Sequence, residues 1–285
     1  MAIPASSVER RLSALGRSAR QADYDRYLIA LFAPPDKREV LFALIAFNHE
    51  LARIRESVTE PMLGQIRLQW WREAVTEAFA GRPRRHEVLE ALAAARSALS
   101  EAKLEEMLEG RELEFESEPP ATLECFRDYA ASTSGALTEA MAIALAGDDD
   151  GTSLAVARAV GTAYGMTGLL RSVPFHARRG RVLLPTHILE ASGTSAAAIK
   201  ELHDEPGLSR AAERIAAAAW EELVKARETG KRSRAMRPVI LLSAITATHL
   251  RKLRSKGFKL LQADLSVGPL KRQIAVGWAA LTGRG

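Results

Sequence analysis

The sequence predicts one all-α domain, a helical bundle of about ten helices, and three observations predict it. Apolar residues recur at three- and four-residue steps along nearly the whole chain. Alanine, the strongest helix former, fills 50 of 285 positions, while aromatic residues make up only 6%. No stretch alternates polar and apolar residues as a half-buried strand would, and no linker is long enough to separate two domains, so residues 1–285 read as a single unit.

Taken in order, Leu28, Ile29 and Phe32 make an apolar face that stops at Pro34-Pro35. Asp36 then stands as an N-cap for a long helix running to about Ser57, with Val40, Leu41, Leu44, Ile45, Phe47, Leu51 and Ile54 on its core face. Thr59-Glu60-Pro61 restarts the chain, Met62, Ile66, Trp70, Ala74 and Ala78 share the next face, and Gly81-Arg82-Pro83 closes it. Further helices are expected over about 86–117, 122–146, 152–173, 207–228, 238–256 and 269–282. Breaks fall at Pro119-Pro120, Gly147–Gly151, Pro174–Pro185 and Ser192–Pro206. Adjacent Trp70 and Trp71 lie about 100° apart on a helix, so both cannot face one way. Either both fill interhelical gaps or one of them meets a groove or a partner.

Charge and composition narrow the function. Forty Lys+Arg against 35 Asp+Glu give +5, and 47% hydrophobic with 26% charged residues is a globular balance. The charge is uneven: residues 1–206 hold 24 basic and 30 acidic side chains, whereas the basic C-terminal third, 207–285, holds 16 and 5. Such a basic segment suits anionic lipid or an acidic protein. Nucleic acid is the weakest reading, because no zinc finger, RNA-binding signature or series of stacking aromatics accompanies it. Cys125 is the only cysteine, which excludes an intramolecular disulfide and a Cys-based zinc site; it reads as a small buried apolar residue in a reducing compartment. The longest apolar stretch, Pro238–Ala247, is far short of the ~20 residues a spanning helix needs. Arg10, Arg11, Arg17 and Arg20 among serines faintly resemble a targeting helix, but Glu9 and the brevity favour an ordinary first helix. The chain therefore reads as soluble.

Common catalytic signatures are missing. The six histidines show no metal-ligand spacing, and no phosphate-cradling glycine loop or G-x-S-x-G elbow occurs. Asp148-Asp149-Asp150 reads as helix capping and solvation, and Glu109, Glu112, Glu114, Glu116 and Glu118 as a solvated helix end.

Two segments are unusually dense: AFNHELARIRESVTEPMLGQIRLQWW at Ala46–Trp71, and YGMTGLLRSVPFHARRGRVLLP at Tyr164–Pro185. With the Tyr24–Asp36 segment and Tyr129…Ser134-Gly135, they resemble the squalene/phytoene synthases over nearly the whole chain. The resemblance implies an isoprenoid-synthase-like bundle around a central cavity, in which two facing helices carry D-x-x-x-D motifs. Carboxylates one turn apart share a helix face, and two such faces hold Mg²⁺ against a prenyl diphosphate. Here the first motif's positions are Ala52, Arg53 and Glu56, and the second's, after Arg171, are Ser172 and His176. One glutamate cannot hold several hard cations, and Pro174 would break or kink the second helix.

The substituted positions match one branch. Phe47–Glu60, the I-R-L-Q-W-W block and Pro174-Phe175-His176 with Arg178-Arg179 are similar to the complex I assembly factor 6 group. The resemblance implies an assembly role for NADH:ubiquinone oxidoreductase, with a subunit or assembly intermediate as protein partner, and no cofactor. Three readings stay open: that role, a prenyltransferase using Mg²⁺, and a carrier of isoprenoid or anionic lipid. For the last two, Arg53, Glu56, Arg171, His176 and Arg178 are the expected ligand-binding set at the former diphosphate pocket. Arg55, Arg67, Arg179 and Arg181 either join them or pair with Glu50, Glu56 and Glu73. His49 and Glu50 read as structural hydrogen-bonding groups. The expected setting is bacterial cytoplasm, peripheral to the inner membrane, or the mitochondrial matrix side.

Overall fold

Five helix starts among the described residues are capped by short polar side chains. Ser13, Asp23, Thr122, Asp150 and Ser195 each accept a hydrogen bond from the backbone N–H three residues on, at 2.9–3.2 Å. The computed structural model describes residues 12–283 except 59, 117, 148–149 and 230–232. Sixteen α-helices form among the described residues, with no strand. The first five are α1 (Ala14–Ala22), α2 (Tyr24–Ala30), α3 (Arg38–Ile54), α4 (Pro61–Phe79) and α5 (Glu87–Ala94). α6 (Glu101–Glu112), α7 (Leu123–Ala130), α8 (Ala136–Ala146), α9 (Gly151–Arg171) and α10 (Val173–Ala177) follow. The last are α11 (Thr186–Ala191), α12 (Ala196–Lys200), α13 (Pro206–Glu228), α14 (Arg237–Ile240), α15 (Leu242–Ser255) and α16 (Pro269–Thr282).

α9 is the axis of the bundle, packed against α8, α13 and α15. α3 lies across α1, α5 and α8, and α4 covers α5 and α6. Fully buried Leu41, Leu44, Phe47, Leu51, Leu104, Met107 and Phe126 stand at the centre, each contributing roughly 1.5–3 kcal/mol of burial. Between α7 and α8 the chain takes one π turn, Ala131–Gly135, so the two helices run on as one bent rod. Its Ser134 hydroxyl donates to the Gly161 carbonyl at 2.5 Å and accepts from Arg26 at 2.7 Å, tying α2 and α9 together.

Several expectations need correction. Asp36 is not an N-cap: Pro35–Lys37 form a 3-10 turn that runs straight into α3, so the proline starts the helix. The segment 86–117 is two helices, because a 3-10 turn at Arg96–Ala98 redirects the chain. Residues 178–206 contain α11 and α12, too short to show a helical period. Cys125, on α7, is exposed and lines a surface cavity rather than the core. Trp71 is buried against Phe47, while Trp70 is 40% exposed. Pro174 does break the long helix: α9 ends at Arg171 and α10 begins with the proline in its first turn. Asp150 caps α9 as expected; Asp148, Asp149, Arg10 and Arg11 lie outside the described residues.

Candidate functional site

The two dense segments converge on one buried glutamate. α6 ends in a 3-10 turn, Leu113–Phe115, which turns Glu114 inward until only 7% of it is exposed. Its carboxylate accepts from Arg111 at 2.5 Å and from the Tyr129 hydroxyl at 2.6 Å. Arg111 also donates to Asn48 of α3 at 3.0 Å. The backbone carbonyl of Glu114 accepts from Arg55 at 3.1 Å and Arg181 at 3.2 Å, so both segments meet here. Burial, and then the Glu114 charge, push the Tyr129 phenol well above its usual range, keeping it a neutral donor.

Beside this network is a cavity of about 490 Å³ where the connections after α3, α6 and α10 come together. Leu113, Phe115, Val182 and Leu183 supply apolar wall; Arg55, Arg179, Arg181 and Lys200 supply positive charge, and Glu114, Glu116 and Glu118 negative charge. His176, on α10, has its pKa lowered to about 4 by burial and by the nearby Arg181 and Arg179, only partly offset by Glu114. Its ring is therefore neutral near pH 7, and its buried Nδ1 has no hydrogen-bond partner.

The remaining expected site residues scatter. Ala52 is half-buried on the last turn of α3, and Glu56 is exposed on the 3-10 turn after it, within electrostatic reach of Arg181. Arg53 and Arg67 line a separate hollow of about 230 Å³ with Glu50, Trp70 and Trp71. The Ser172 hydroxyl donates to the Leu169 carbonyl at 3.1 Å, and Arg178 is exposed. Among the described residues no ion pair joins these arginines to Glu50, Glu56 or Glu73; Glu73 binds Arg84 instead. Reading Glu114 as a solvated helix end is thus corrected: Arg111, one turn earlier, and apolar Leu113 and Phe115 on either side were the signal that it points inward. Among the described residues, no three His, Cys, Asp or Glu side chains cluster so that they could hold a metal ion.

A second buried polar cluster had no local signal at all. Asp25, 3% exposed on α2, accepts from Arg272 at 2.8 Å and Tyr164 at 3.2 Å and lies 3.0 Å from His249 Nε2. Burial raises the Asp25 pKa, but His249 and Arg272 outweigh it and hold the carboxyl below its ordinary value. His249 is shifted down, chiefly by burial, against the pull of Asp25. Arg171, the expected ligand group at the end of α9, is not among the residues lining the cavity; its charge acts on both His249 and Tyr164, and its Nε is buried without a hydrogen-bond partner.

Comparison with known proteins places the chain. Bovine (Bos taurus) NADH dehydrogenase (ubiquinone) complex I, assembly factor 6, is 32% identical over 178 residues, 62% of this chain and 53% of that one. The rat (Rattus norvegicus) protein of the same name is 28% identical over 249 residues, 86% of this chain and 74% of that one. The match thus spans about half the length of the bovine relative. A dehydrosqualene synthase crystal structure superposes with a TM-score of 0.81 over 99% of both chains, at 17% identity, which shows a shared fold. The squalene/phytoene synthase family model matches residues 19–271, and the chain belongs to that family.

Proposed function

We propose that this protein serves the assembly of NADH:ubiquinone oxidoreductase as a scaffold with the prenyl-synthase fold, without metal and without prenyl transfer. The observation that carries the reading is the donor set. Glu114, buried beside the cavity, is already taken by Arg111 and Tyr129, Glu116 and Glu118 on its rim are exposed, and the resemblance implies Ala52, Arg53, Ser172 and His176 at positions where the family carries its motif acids. Among the described residues, Glu56, Glu116 and Glu118 form no cluster of carboxylates that could gather the hard cations that diphosphate departure requires. The relatives named complex I assembly factor 6 support the same reading. Its partner is a subunit or assembly intermediate, and its setting the bacterial cytoplasm beside the inner membrane, with the mitochondrial matrix as the alternative.

Two measurements test this. Deleting the gene in its own host lowers NADH:ubiquinone reductase activity of isolated membranes, and both the wild-type gene and Glu56→Gln restore it. Purified protein given farnesyl diphosphate, Mg²⁺ and NADPH releases no diphosphate. Release that Glu56→Gln abolishes would overturn the reading. The cavity's apolar wall favours a second role, non-catalytic binding of an isoprenoid or lipid, tested by mass spectrometry of co-purified lipid.

A further inference from the structure

α13 and α15 pack side by side, and a groove of about 580 Å³ runs between them. Its floor is apolar. Ala216 and Leu250 are buried there, and half-buried Trp220 and Phe258 line it with exposed Ala217. α13 adds exposed Glu213 and Glu221, which the helical rise sets roughly 12 Å apart. α15 adds exposed Arg251 and Arg254.

The two walls therefore carry opposite charge, and the charges do not close on each other. Among the described residues no ion pair engages Glu213, Glu221, Arg251 or Arg254. Elsewhere on the surface neighbouring elements do pair: Arg72 binds Glu105 and Glu112, and Arg84 binds Glu73 and Glu77. Arg251 instead stands over the Trp220 ring at 5.7 Å, which holds its guanidinium at the border of the apolar floor.

We propose that this groove receives an amphipathic helix of a protein partner, apolar along one face, acidic along one flank and basic along the other. The apolar face lies on Ala216, Ala217, Trp220 and Leu250, its acids meet Arg251 and Arg254, and its bases meet Glu213 and Glu221. Charge complementarity selects this occupant. An anionic lipid surface matches the arginines but is repelled by the two glutamates. The exposed face of α16 from a second copy carries bases and no acid, so it leaves the arginine wall unmet. The groove shares no residue with the cavity beside Glu114, and the inference does not rest on the assembly role.

The test is fluorescence anisotropy of labelled synthetic helical peptides titrated with the full chain. The peptides share one leucine stripe and differ in their flanks: one acidic and one basic, both acidic, or both basic. The mixed peptide is expected to bind at least ~10-fold more tightly than the other two, and high salt to erase the difference. Arg251→Glu with Arg254→Glu is expected to make the doubly basic peptide the tightest binder. Glu213→Lys with Glu221→Lys is expected to favour the doubly acidic one, and all four positions are exposed, so Tm stays unchanged. Ala217→Trp fills the groove and is expected to weaken the mixed peptide at least ~10-fold. Equal affinities, no binding, or preferences that the charge reversals leave in place would overturn the proposal. So would binding to phosphatidylglycerol vesicles that the arginine reversal abolishes, since the occupant would then be lipid. A wild-type dimer that Ala217→Trp dissociates would also overturn it, in favour of a second copy.

Discussion

His176 shows how one side chain's environment sets its chemistry. Its position in the resembling motif would suit a carboxylate ligand, yet burial and two arginines lower its pKa to about 4 and keep it uncharged. The sign of the pH effect follows. An unfolded histidine takes a proton near pH 6.5, before the folded one does, so stability falls as pH drops from about 6.5 toward 4. His176→Gln removes that part of the slope. The loss of stability between pH 7 and pH 5, measured by urea unfolding, is expected to shrink by about 1 kcal/mol, discounted for the ring's partial exposure. An unchanged difference would show that His176 is not held neutral. Glu114 and Arg111 could have been paired from their spacing, one turn apart, but Asn48, Arg55, Tyr129 and Arg181 could not. Their sequence separations from the Glu114 turn carry no periodic signal.

At the scale of elements, the crossing of α9 over the π turn depends on glycine. A Cβ at Gly161 would stand 2.6 Å from the Ser134 carbonyl oxygen and against Thr138, and a backbone oxygen cannot swing aside. Gly161→Ala is expected to cost about 2–3 kcal/mol. Gly168, on the same helix, has open space where its Cβ would be, so Gly168→Ala is expected to be neutral or stabilising by up to about 1 kcal/mol. Thermal melts of the two variants check the contrast, and equal Tm values would refute close packing at this crossing. Long helices such as α3, α4 and α13 were legible because each shows many turns of one pattern. The divided 86–117 segment was not, since a 3-10 turn keeps nearly the same apolar spacing while it redirects the chain.

Across the whole molecule, Asp25 joins four elements distant in sequence: α2 itself, α9 through Tyr164, α15 through His249 and α16 through Arg272. Removing one charge from such a buried set leaves the others uncompensated. Asp25→Ala is expected to destabilise the protein by about 3–5 kcal/mol and to speed proteolysis in the connection before α16. Adding Arg272→Met should recover part of the stability, because the stranded guanidinium goes with it. Additive losses would mean that the pair does not act as a unit.

The all-helical class, the bundle and the membership of the squalene/phytoene synthase family were determined by the sequence itself. Helical period and short motifs are local properties, and neighbouring residues express them whatever the rest of the chain does. The tertiary structure alone decided which charges distant in sequence meet. It brought Arg55 and Arg181 to the Glu114 carbonyl, gathered Tyr164, His249 and Arg272 around Asp25, and left Leu270, Ile274, Trp278 and Leu281 of α16 exposed. The physical reason is reach: a charge selects its partner by distance in space and by the water excluded around it, and the linear order of residues specifies neither.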